Sequence, residues 1–220
     1  SSDGNTVAIG AFKNDGNGAE AGHVRVYEYT SGNWVQKGSD IDGEASEDWF
    51  GGNVQGAISL SADGSILAVG AYKNDGNGTD AGHVRVFEFT NGSWGQIGSD
   101  LDGEAAGDLF GYALDLSDDG NVLIIGGFKN DGNGSDAGHV RVYEYSSGTW
   151  NQKGIDIDGE ASGDGFGFSV SINGGGDTIA VGAIYNSGNQ GHVRIYQYSS
   201  NNWNQIGSDI DNITSGSSTL

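Results

Sequence analysis

The chain has 220 residues, 42 of them Gly, with no Pro, Cys or Met and a formal net charge of −21. That charge argues against a nucleic-acid interface, which needs a basic face, and against an anionic membrane surface. Its apolar runs are too short to span a bilayer, and without Cys there is no disulfide, thiolate metal site or thiol nucleophile.

With no Met, translation is expected to begin upstream of Ser1, and any signal peptide would lie there too. Ser1–Gly10 aligns with the segments starting at Ser61 and Ser117, so the first unit opens on its second strand, near Thr6–Phe12. Gly22-His23-Val24-Arg25 and Trp34 follow. The second unit opens at Phe50-Gly51, runs four residues longer than the third before Ser61, and continues through Ile66-Leu67-Ala68-Val69, Gly82–Arg85 and Trp94. The third unit is the clearest. It predicts strands over Phe110–Leu116, Val122–Gly127, His139–Tyr145 and Trp150 to about Ile157. The second of these is continuously apolar, which fits burial on both faces, and the third alternates. The fourth unit has Phe166-Gly167, Gly191–Arg194 and Trp203. Gly, Asn and Asp fill the turns because they tolerate positive φ.

The four His of the Gly-His-Val-Arg repeats lie 60, 56 and 53 residues apart. Four antiparallel strands at that period predict an all-β fold, a β-propeller of four-stranded blades with the first strand of unit one missing. The expected divisions are blade 1 at 1–47, blade 2 at 48–107, blade 3 at 108–163 and blade 4 at 164–211, with 212–220 as a tail. A solenoid is the alternative architecture.

These units resemble the FG-GAP repeat of integrin α-subunit propellers and related extracellular proteins. The resemblance rests on Phe50-Gly51, Phe110-Gly111 and Phe166-Gly167, on Gly10-Ala11, Gly70-Ala71 and Gly182-Ala183, and on Gly22–Tyr27 and its three later copies. It implies an extracellular or cell-surface propeller with an adhesive or ligand-binding role. Many members carry a calcium loop between strands one and two. Here that connection is only Ala62–Ser65 or Asp118–Asn121, too short for six to eight oxygen ligands.

The missing strand leaves an apolar edge that needs a partner. Asn212–Leu220 could close the ring, although it has no Phe-Gly pair. Residues upstream could supply the strand. A neighbouring chain could also donate or accept one, producing a fibre.

Several groups are candidates for chemistry. Arg25, Arg85, Arg141 and Arg194 are all the Arg of the chain and occupy one repeat position. A role repeated in every blade reads as structural, an ion pair to carboxylates such as Glu44 and Asp48. The ladders Asp40-x-Asp42-x-Glu44, Asp100-x-Asp102-x-Glu104 and Asp156-x-Asp158-x-Glu160 could present three oxygens on one side for Ca²⁺, or form a solvated edge that blocks aggregation. The Asn-Asp-Gly-Asn-Gly segments at 14, 74 and 130 read as hairpin turns. The repeated Trp read as packing between blades or as sugar platforms, while Trp49 stands outside the repeat. Asn77, Asn91, Asn133 and Asn212 begin N-glycosylation sequons. No nucleophile elbow, phosphate loop, zinc signature or unique acid pair occurs, so catalysis is not expected. Expected partners are a further copy of the chain or a protein or glycan ligand, the last describing a multivalent lectin-like propeller, with nucleic acid and membrane insertion excluded.

Overall fold

Val, Ile and Tyr alternate with polar residues between Gly-rich turns, and these segments pair locally into four antiparallel sheets. The computed structural model describes residues 1–52 and 56–211. The insertion of the second unit falls partly outside these residues, and the tail does so entirely.

Blade 1 contains β1 (Thr6–Ala11), β2 (His23–Thr30), β3 (Asn33–Gln36) and β4 (Ile41–Asp42). Blade 2 contains β5 (Ile58–Leu60), β6 (Ile66–Ala71), β7 (His83–Thr90), β8 (Ser93–Gln96) and β9 (Leu101–Asp102). Blade 3 contains β10 (Ala113–Leu116), β11 (Val122–Gly127), β12 (His139–Ser146), β13 (Thr149–Gln152) and β14 (Ile157–Asp158). Blade 4 contains β15 (Phe166–Ile172), β16 (Thr178–Ala183), β17 (His192–Ser199), β18 (Asn202–Gln205) and β19 (Ile210–Asp211). Three sheets have five strands and the first has four, because blade 1 lacks the inner strand. The chain is a four-blade β-propeller.

The expected fourth strand is split. In blade 3, β13 pairs with the far half of β12 and β14 with its start, at His139↔Asp158 and Val140↔Ile157. The break falls at Gly154, whose φ is +89°. A Cβ there would lie 2.9 Å from the ring of Trp203 in the next blade, so the strand yields to let that indole pack. Phe110-Gly111 also stays outside β10, whereas Phe166-Gly167 opens β15.

Three equivalent apolar cores lie between blades. Val24, Val26 and Ile41 of blade 1 meet Leu67, Val69 and Phe87 of blade 2 around Phe50. Val84, Val86 and Leu101 meet Leu123, Ile125 and Tyr143 around Phe110. Val140 and Val142 meet Ile179, Val181 and Tyr196 around Phe166. A strand between two such cores must be apolar on both faces, and every residue of β11 is buried. In β1 burial alternates, because one face has no neighbour.

The Phe-Gly and Gly-Ala pairs have a common physical basis. The N–H of Gly51 donates to Gly70 O at 2.9 Å, and that of Gly111 to Gly126 O at 3.1 Å. Those bonds lie within a blade; across the junctions a Cβ on Gly10, Gly70 or Gly126 would lie 2.4, 2.1 and 2.1 Å from the carbonyl oxygens of Gly51, Gly111 and Gly167, so only glycine leaves room. The N–H groups of Phe50, Phe110 and Phe166 donate to Ala21, Ala81 and Ala137 of the preceding blade, each at 3.0 Å, tying every blade to the one before it.

Candidate functional site: charged clusters between the blades

The third strand of each blade places His and Arg two residues apart on one face, which looks toward the preceding blade. At the blade 2–blade 3 junction, Glu104 from the preceding ladder meets His139, Arg141 and Asp156. The His139 Nδ1 lies 4.0 Å from Glu104 Oε2 and 3.8 Å from Asp156 Oδ2. Arg141 Nη2 pairs with Glu104, and its Nε lies 3.4 Å from Asp156. The same set recurs as Glu44, His83, Arg85 and Asp100, and as Glu160, His192, Arg194 and Asp209. The Arg side chains are nearly buried while the Glu carboxylates are half exposed. Among the described residues no blade packs before blade 1. There Arg25 is exposed and turns to its own Asp40, donating from Nε and Nη2 at 3.0 and 2.8 Å.

Two expectations are corrected. Asp48 is not a partner of Arg. It accepts the Asn74 side-chain N–H at 3.1 Å, as Asp108 does from Asn130 and Asp164 from Asn186. These neutral donors leave the Arg to the Glu one turn earlier. Nor do the three carboxylates of one ladder converge on a calcium site. Glu44 meets Asp100 of the next ladder, Glu104 meets Asp156, and Glu160 meets Asp209. Asp42, Asp102 and Asp158 join no such group among the described residues. The cause is Gly43 and its equivalents. A Cβ on Gly43 would lie 2.1 Å from Ala21 O, so the chain crosses against the preceding loop and sends Glu44 to the neighbouring blade. The His of Gly-His-Val-Arg, on the same strand face as the Arg, completes each cluster. Each cluster joins a His nitrogen and a resident guanidinium to two carboxylates, a poor set for calcium, which prefers oxygen ligands. The clusters of Arg141 and Arg194 each set one guanidinium between two carboxylates of adjacent blades and so tie those blades together.

The Asn-Asp-Gly-Asn-Gly loops clasp the ladders: Asn17, Asn77 and Asn133 donate to Gly43, Gly103 and Gly159 carbonyls at 2.8, 2.7 and 2.8 Å. The sequon residues Asn77 and Asn133 are therefore engaged, whereas Asn91 stands exposed in a hairpin turn at φ +53°. Asn212 lies outside the described residues. The Trp side chains bridge blades: Trp94, Trp150 and Trp203 donate Nε1–H to Lys37, Ile97 and Lys153 carbonyls at 2.7, 3.1 and 2.7 Å.

Burial pushes His83 and His139 below the ordinary histidine value of about 6.5, outweighing nearby carboxylates such as Asp100 and Asp156. Hydrogen bonds from Arg25 and Gln36 hold Asp40 down to about 2. The signs differ in window. The unfolded state binds protons to these His first, so stability falls as pH drops below about 6.5, by at most about 1.4 kcal/mol per pH unit for each His. Asp40 loses its contribution only further down, as pH falls below about 4 toward its folded value. Urea unfolding between pH 7.5 and 5 should show the first slope, and His139→Gln should reduce it; a flat profile would refute the assignment.

The repeating Phe-Gly and Gly-Ala contacts on a propeller frame now have counterparts among known proteins. Residues 152–196 match the FG-GAP repeat. The matched stretch runs from the end of β13 into β17 and takes in Phe166-Gly167 and Gly182-Ala183. No curated protein matches the chain. Among solved structures it resembles a protein provisionally assigned as a 6-phosphogluconolactonase from Bacteroides uniformis. The TM-score is 0.60 at 13% identity, over 95% of this chain and 52% of that one. It also resembles the β-propeller domain of the Trilobed protease from Pyrococcus furiosus, described as having an open velcro topology, with TM-score 0.52 at 14% identity over 93% and 54%. The chain thus spans about half the length of these structures. At such identities the likeness carries the propeller fold and no activity, and the FG-GAP match likewise marks a structural unit.

Proposed function

We propose that the chain is a non-catalytic assembly or adhesion module, working outside the cell or at its surface. The observation that carries this reading is the exposure of apolar residues on the two end faces of the described residues. On blade 1, Val7 and Ile9 are 36% and 53% exposed, where their equivalents Leu67 and Val69 are fully buried. On blade 4, Val193 and Ile210 are 37% and 56% exposed, where Val24 and Ile41 are buried. Each face is one half of a core that the chain builds three times internally. Edges of this kind drive association. A strand or blade from a neighbouring chain would fill the missing inner position and extend the array into a filament. A glycan-binding role has less support, since Trp94, Trp150 and Trp203 spend their indole N–H groups between blades.

Light-scattering mass at several concentrations, with electron microscopy, tests the proposal. Growth of mass with concentration is expected, and 0.5 M salt should promote it by screening the −21 charge. Ile9→Lys should suppress it. A constant monomer mass under all conditions would overturn the reading.

A further inference from the structure

One aromatic departs from the repeat, and it shows what a neighbouring pocket is shaped to hold. Trp49 precedes Phe50, and its equivalents before Phe110 and Phe166 are Leu109 and Gly165. All three take up the same backbone conformation, at φ +55°, +54° and +64°. At the blade 1–blade 2 junction the indole of Trp49 sits edge-on between Phe12 and Tyr72, with ring centroids 5.3 and 5.8 Å away. The ammonium groups of Lys13 and Lys73 lie 5.3 and 4.4 Å from the indole centroid. Its Nε1–H donates to Glu20 Oε2 at 3.0 Å.

At the blade 3–blade 4 junction the same place is a cavity of about 440 Å³, within the range of small-ligand sites. Gly165 forms part of its lining where an indole would arise, Tyr112 closes one side at 4.6 Å from Phe128, and part of the surroundings of Trp49 recurs. Phe128 stands for Phe12, Lys129 for Lys13, Asp136 for Glu20, and Tyr185 takes the place of Lys73. Phe168 adds a further wall, 5.3 Å from Phe128. Asp164 and Asn186 fix the junction as Asp48 and Asn74 fix the first one. Lys13 is bound to Glu20 at 2.8 Å, but among the described residues the Lys129 ammonium and the Asp136 carboxylate make no ion pair or hydrogen bond.

We infer that this pocket receives an indole, the tryptophan side chain of a partner peptide, with Asp136 accepting the ring N–H and Lys129 lying against the π face. An aromatic wall, a cation and an acidic acceptor are the three groups that hold the chain's own indole at the equivalent site. The inference does not depend on the assembly reading, since the pocket lies between two blades of one chain.

The test is titration with N-acetyl-tryptophanamide, followed by ligand-observed NMR, on the whole chain. Methyl glucoside and N-acetyl-leucinamide serve as competing probes. Saturable binding of the tryptophan probe is expected, and N-acetyl-1-methyltryptophanamide, which lacks only the ring N–H, should bind about tenfold more weakly. Gly165→Trp should fill the pocket from within and abolish binding. Trp49 shows that the backbone accepts such a residue, and Tyr185, whose ring a new Cβ would approach to 3.0 Å, is exposed enough to shift. Conversely, Trp49→Gly should open a second site and raise the stoichiometry from one to two. No binding at millimolar probe would overturn the inference. So would binding undiminished in Gly165→Trp, or a preference for the sugar or the leucine probe.

Discussion

Phe110→Ala is expected to lower the unfolding free energy by about 3–5 kcal/mol, among the largest effects of any single truncation here. The side chain is fully buried and sits where blade 2 and blade 3 meet. Around it are Val84, Leu114, Leu123 and Ile125, and the Arg141 guanidinium lies 5.6 Å from the ring centroid. These neighbours belong to two different sheets, so neither sheet can collapse into the cavity without disturbing its own hydrogen bonds. The melting temperature should fall by roughly 10 °C for a chain of this size. Guanidinium unfolding followed by Trp fluorescence provides the measurement. A loss under about 1 kcal/mol would mean that the junction does not carry the stability of the ring.

Gly126→Ala is expected to cost about 2–3 kcal/mol although it adds one methyl group. The new Cβ would lie 2.1 Å from Gly167 O and 3.0 Å from its carbonyl carbon. Both are backbone atoms of the next blade, and Gly126 O is itself held by the N–H of Gly111. The blades must therefore part. Gly182 is the internal control, at the same place in blade 4. Among the described residues no other blade approaches it, and the nearest atom to a new Cβ is the Ser169 hydroxyl, which can rotate away. Gly182→Ala should cost less than about 1 kcal/mol. Equal losses at the two positions would show that the Gly-Ala glycine serves its own strand and not the junction.

Much of this architecture is legible in the residues. Gly-His-Val-Arg and Phe-Gly recur at propeller spacing, and strands like Val122–Gly127 are apolar throughout because a blade lies on either side. The repeated Arg also points to a structural ion pair, since a role present in every blade is seldom catalytic. The choice of partner was not legible. Glu44 and Asp48 are four residues apart, and either could reach a guanidinium; the tertiary structure sends the first to Arg85 and the second to Asn74. The carboxylate ladder misleads for a similar reason. Alternation along a strand puts three acids on one side, but the strand ends at Asp42, and Gly43 turns the chain against Ala21 O.

Trp49 is conspicuous in the sequence as an aromatic outside the repeat, and Gly165 is one glycine among 42. Only superposing the junctions in space shows that one fills what the other leaves open. The sequence by itself determined the repeat and the strand-rich fold, because these follow from local periodicity and turn chemistry. The tertiary structure alone decided which charges pair, where the indoles pack and which junction keeps a cavity, because those depend on contacts between blades about fifty residues apart.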